Sequence, residues 1–183
     1  MQSSLENGSY WSPPEYEDAR LLRMRTCLER KITDPLMVVF LIAKSGNDNF
    51  VAYRYKETAF SCTVEPEWVM SSPTGIRIEA LSMTENFLMG VTTTTRPSGT
   101  ISITFSPEQI RRREMELILD SDGMPAILGM INGLSCRLLY SYVQMQKSIL
   151  PDVEYINLYG IGVDDGKLHV ERLNNSGSHY FGK

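Results

Sequence analysis

His169 and His179 are the only imidazoles in a chain of 183 residues, so general-base and metal chemistry near neutral pH has few routes here. His169 lies in Lys167-Leu168-His169-Val170-Glu171-Arg172, where strand alternation predicts a solvated face shared with Lys167 and Glu171. His179 falls in a Gly/Ser tail. Ser135-Cys136 offers a nucleophile, but no Gly-x-Ser-x-Gly elbow surrounds it and the segment starts from a hairpin turn. Gly160-Ile161-Gly162 resembles the start of a dinucleotide loop, yet the third glycine is misplaced and a strand follows where phosphate binding needs a helix N-terminus. Asp120-Ser121-Asp122-Gly123 has its glycine too early for a calcium loop. What is left for catalysis is a convergence of Glu79, Glu85 and Glu171 in one cleft, which no motif enforces. The expectation is therefore a chain that is not an enzyme, with no catalytic residues, no metal and no cofactor.

Binding is the richer theme. Arg111-Arg112-Arg113, flanked by Glu108, Glu114 and Glu116, could meet an acidic protein surface or a phosphate, or could be a solvated run neutralised by its neighbours. Tyr10-Trp11 sits in a polar tail and could anchor a partner or fold back on its own chain. For a small ligand or a carbohydrate the candidates are Asn47, Asn49, Tyr53, Trp68 and Arg77. A net charge of -4 argues against a general nucleic-acid binder, since phosphate neutralisation needs a surplus of Lys and Arg.

These side chains need elements to hold them. Ser12-Pro13-Pro14-Glu15 makes a helix start with Ser12 as N-cap and Glu15 closing a capping box. The helix runs to about Lys31, with Leu21, Met24, Leu28 and Ile32 on one stripe and acid at its start and base at its end. That stripe packs on the domain that follows or enters a partner's groove. Thr33-Asp34-Pro35 stops it.

From Leu36 onward the apolar period shifts to short β-branched and aromatic runs between turn clusters, predicting strands near 36–44, 49–55, 66–70, 76–82, 86–94, 100–105, 114–119, 126–131, 134–144, 153–161 and 167–173. Asn132-Gly133 and Asp164-Asp165-Gly166 supply hairpin turns that need positive φ. Ser106-Pro107-Glu108-Gln109 predicts a single helical turn between strands. The fold class is mainly β: an antiparallel β-sandwich or partly open barrel of about 9–11 strands with an N-terminal α-helix. The organisation is a tail and helix over 1–34, a β domain over 35–174 and a flexible tail over 175–183.

Cys27, Cys62 and Cys136 are too few and too scattered for a disulfide framework or a zinc site, which fits a reducing compartment. The first twenty residues carry Glu6, Glu15, Glu17 and Asp18 and no apolar core, so no export signal is read there, and Leu36 to Ala43 is too short to cross a bilayer. A cytoplasmic address with no membrane partner is expected.

Several motifs then resemble one family, the domain of unknown function DUF4833. Lys44-Ser45-Gly46-Asn47-Asp48-Asn49-Phe50-Val51-Ala52-Tyr53 is similar to its first hairpin, with Lys for Arg. Pro66-Glu67-Trp68-Val69-Met70, Ile131-Asn132-Gly133 with Leu138 and Tyr142-Val143, Pro151 to Gly160, and Glu171-Arg172-Leu173 follow in family order. The stretch Thr84-Glu85-Asn86-Phe87-Leu88-Met89-Gly90 departs from the family's Glu-Arg and Ala-Tyr-Gly pattern. The resemblance spans about 36–173 and implies a fold without a substrate.

Taken together, the residues predict a non-enzymatic structural or interaction subunit of a larger cytoplasmic assembly, anchored by its N-terminal arm. The arginine run suits a cytoskeletal or ciliary lattice, with tubulin or other axonemal proteins as partners. The alternative is a small-ligand or carbohydrate-binding β-sandwich module.

Overall fold

The computed structural model describes residues 23–24, 26–28, 37–59, 61–146 and 153–174. Tyr10, Trp11, the Ser12 helix start, Leu21, Ile32 and the 175–183 tail lie outside the described residues. Eleven strands form one curled sheet: β1 (Val38–Lys44), β2 (Phe50–Glu57), β3 (Cys62–Ser72), β4 (Gly75–Ala80), β5 (Val91–Thr95), β6 (Ile101–Phe105), β7 (Met115–Leu119), β8 (Pro125–Ile131), β9 (Leu134–Met145), β10 (Val153–Gly162) and β11 (Leu168–Asn174). Two short helices interrupt them, α1 (Met83–Met89) and α2 (Glu108–Arg111). The mainly β expectation holds, and the architecture is the partly open barrel.

β9 is the hub. On one edge it pairs with β10 along nearly its whole length. On the other, its first part pairs antiparallel with β8 (Ile127 opposite Leu138) and its later part parallel with β1 (Leu41 opposite Tyr140). The sheet therefore forks into two wings, β1–β4 and β8–β5. Leu139 sits at the fork, bulged out between the pairs Tyr140–Tyr159 and Leu138–Gly160. An extra residue of this kind bends a strand and raises its twist, which lets one strand serve two diverging neighbours.

The wings curl toward each other and close over a shared core. Phe40 and Tyr53 from one wing meet Phe105 from the other, with the Phe105 centroid 4.9 Å from each and an edge-on contact to Tyr53. On the outer face of β1–β3, Leu41, Phe50 and Val69 bury against helical Met24 and Leu28. So β1 is covered on both faces, which explains its unbroken apolar run. At Met24 and Leu28 the amphipathic stripe packs on its own domain.

Two local expectations need correction. The predicted strand 86–94 is split into α1 and β5. Ser82 and Glu85 form a reciprocal capping box, the Ser82 Oγ accepting from the Glu85 amide and the Glu85 carboxylate accepting from the Ser82 amide. That local nucleus outweighs the β-branched tail of the segment. The antiparallel expectation fails at β1–β9, which is parallel. No turn joins those two strands, so no residue announces their direction, whereas hairpins announce theirs. The Leu134 segment is a strand, and α2 is the single turn predicted at Glu108.

Candidate functional site

The two turns read from the sequence meet at one end of the sheet. Asn132 takes φ 50° and Gly133 φ 80°, the pair of positive values that a type I′ two-residue hairpin loop requires. The Asn132 amide donates to the Glu171 carboxylate at 2.9 Å and its side chain donates to the Val170 carbonyl at 2.9 Å. Arg113 completes the lock: its guanidinium donates to both Glu171 oxygens, at 3.0 and 2.5 Å, and to the Met130 carbonyl at 2.8 Å. The Arg113 hydrogen bonds, partly offset by burial, hold Glu171 below the usual carboxylate range. Fork-to-fork pairs of this kind are strong and directional.

Beside this lock, His169 Nε2 lies 3.0 and 3.2 Å from the two Asp165 oxygens. It is not the solvated residue that alternation predicted: the β10–β11 turn folds Asp165 back over it. The backbone amide of Lys167, with the imidazole adding, keeps Asp165 below its ordinary range. Gly162 makes room, since a Cβ there would stand 2.1 Å from Asp165 Oδ1 and 2.9 Å from His169 Nε2. Cys136, opposite Gly162 in the register, is wholly buried, and burial pushes its thiol upward, away from the nucleophilic form.

The other predicted residues are dispersed. Arg113 belongs to the lock and is not free for a partner. Arg111 and Arg112 both pair with Glu108 on α2, and Arg112 remains 84% exposed. Tyr53 is a core residue and not a ligand contact; its hydroxyl donates to the Met89 carbonyl at 2.6 Å, and burial raises its pKa. Trp68 is partly buried against the inner core, with the Lys44 ammonium 5.5 Å from its ring centre. Arg77 pairs with Glu79 on β4. Asn47 and Asn49 stand on the outer side, lining a cleft of about 320 Å³ with Arg23, Cys27, Phe50 and Ser71. Glu79, Glu85 and Glu171 do not share a partner: Glu79 pairs with Arg77 along β4, Glu85 with the Ser82 cap of α1, and Glu171 with Arg113 and Asn132 in the lock. Among the described residues no cluster of His, Cys, Asp and Glu could hold a metal ion.

Residues 40–172 match the family model of DUF4833, a domain of unknown function. The chain belongs to the DUF4833 family. Neither a curated protein nor a solved structure matches it. In this DUF4833 domain the Asn132 and Glu171 motifs that carried the resemblance touch each other, so they act as fold locks.

One surface escaped the sequence reading. On α1, Met83 is 90% and Phe87 83% exposed, one turn apart, with Leu88 beside them. Its only signal was the Ser82-x-x-Glu85 cap. The cap fixes its start, Tyr53 holds the Met89 carbonyl at its end, and Lys44 adds to the Ser82 contacts that keep Glu85 below its ordinary range. α1 is thus a short, doubly fixed platform with its apolar side turned outward.

Proposed function

We propose that this DUF4833 domain is a non-enzymatic interaction subunit of a larger cytoplasmic assembly, and that it docks a protein partner through α1. The carrying observation is the outward Met83, Phe87 and Leu88 on a helix pinned at both ends. Core burial does not use these side chains, and a partner groove that accepts two apolar anchors one turn apart would. Because the helix is already ordered, docking forfeits little conformational entropy.

A cytoskeletal or ciliary lattice is the setting proposed for it. Arg111 and Arg112 exceed their shared Glu108 by one charge, and an acidic tubulin-like surface complements that excess. Anchoring by the arm falls to Tyr10 and Trp11. Co-sedimentation of the full chain with purified microtubules at low and raised salt tests the setting. Binding that falls with salt and is lost in Arg111→Glu/Arg112→Glu supports it; no co-sedimentation at low salt overturns it.

A second reading is favoured by the cleft beneath the Lys44–Asn49 loop. The Asn47 side chain accepts from the Asn49 amide, and the Asn49 side chain accepts from the Ser71 amide, which fixes both amides at its rim. Amides over an apolar floor suit a hydroxyl-rich ligand such as a short oligosaccharide. A calorimetric titration against an oligosaccharide series, repeated on Asn47→Ala, decides this reading; no saturable binding rejects it.

A further inference from the structure

Among the described residues the sheet has three edge strands, β4, β5 and β11, and they are not equivalent. β11 is guarded, since Asn132 already occupies the Val170 carbonyl and Arg113 holds Glu171. β5 leans against β3. β4 pairs only with β3, and none of its residues makes a hydrogen bond to any other strand among the described residues.

We propose that β4 is a homodimer interface, pairing antiparallel with β4 of a second copy about a two-fold axis at Ile78. The two-residue loop between Ser72 and Gly75 makes that closing pair hydrogen-bonded, so the alternation turns the N–H and C=O groups of Ile76, Ile78 and Ala80 to the open edge. A two-fold at Ile78 sets Ile78 opposite its own copy and Ile76 opposite Ala80, both as hydrogen-bonded pairs. Arg77 then falls opposite Glu79 twice, in the non-hydrogen-bonded positions where side chains come closest, with Cα atoms about 4.5 Å apart.

The segment Ile76-Arg77-Ile78-Glu79-Ala80 is therefore self-complementary in charge. Charges on an edge strand ordinarily discourage pairing, but they do so when like meets like. Here Arg77 and Glu79 lie on one face, exposed and paired with each other within the chain, so each can exchange its partner for the same group on the second copy. The strand contains no proline and no bulge, the other devices that blunt an edge. Slid by one residue, the register would stack Arg77 against Ile78, so charge and hydrogen-bond polarity select the same alignment.

Sedimentation velocity on the full chain over a range of concentrations, near physiological salt, tests this with a charge swap. The wild type is expected to dimerise. Arg77→Glu and Glu79→Arg each place like charges opposite one another, and each alone should weaken the dimer at least tenfold. An equimolar mixture of the two variants should restore it as a heterodimer, and Arg77→Glu/Glu79→Arg in one chain should restore it as a homodimer. Slowed amide exchange at Ile78 with rising wild-type concentration gives a second readout that needs no variant. A wild type that stays monomeric, or single variants that dimerise as well as it does, overturns the proposal. Edge pairing at β4 and partner docking at α1 use different residues, so failure of one leaves the other standing.

Discussion

The turn end of the sheet and the α1 end spend their side chains in opposite ways. At the turn end, polar residues with the look of chemistry, Arg113, Glu171, His169, Asp165 and Asn132, are consumed by one another. At the α1 end, apolar residues with the look of core, Met83 and Phe87, are left in solvent. Residue type therefore points to function only after the fold has taken what it needs. Charged groups satisfied inside the domain are scaffold, and apolar groups that the fold declines are available to a partner.

Breaking the lock should have the largest effect on stability. Arg113→Ala leaves Glu171 half-buried with its guanidinium gone, and a loss of about 2–3 kcal/mol is expected in denaturant unfolding. Glu171→Gln should cost less, because the amide keeps an acceptor for the Asn132 N–H. The same lock sets an acid limit. Glu171 has a folded pKa below its unfolded one, so its stabilisation is complete above the ordinary glutamate value of about 4.3 and disappears as the pH falls through the lowered folded value. Unfolding midpoints of the wild type should therefore drop across that window, and those of Glu171→Gln should drop less.

Ser82→Ala acts at the other end, and it should cost about 1 kcal/mol by removing the cap of α1. The sharper sign is local: amide exchange in α1 should speed up while exchange in β7, β8 and β11 does not. Met83→Ser/Phe87→Ser should have the smallest effect on stability, within about 0.5 kcal/mol, because neither side chain is buried. An effect as large as that of Arg113→Ala would show that the fold needs α1's apolar face after all.

Much of this was legible in the chain. Short β-branched runs between turn residues located the strands, and Asn132-Gly133 fixed its hairpin because a two-residue loop with positive φ has few solutions. What the sequence concealed was non-local. The β1–β9 parallel pair joins segments that share no turn, and the Leu139 bulge that makes the fork possible has no residue signature. His169 looked solvated because alternation along β11 says nothing of Asp165, which arrives from across the turn. Tyr53 looked like a ligand contact for the same reason: only the second wing, through Phe105, puts it in the core. α1 was hidden differently, since Ser82 and Glu85 stated a helix start that a run of β-branched residues just beyond it obscured.

In the proposed function α1's apolar face, and not the polar turn end, recognises the partner. A direct test recovers the tagged chain from cells, washes at high salt and quantifies the stoichiometric partner set for wild type and Met83→Ser/Phe87→Ser, with thermal unfolding of both as control. The double variant is expected to lose that set at an unchanged melting temperature. An undiminished set on the equally stable variant would contradict it.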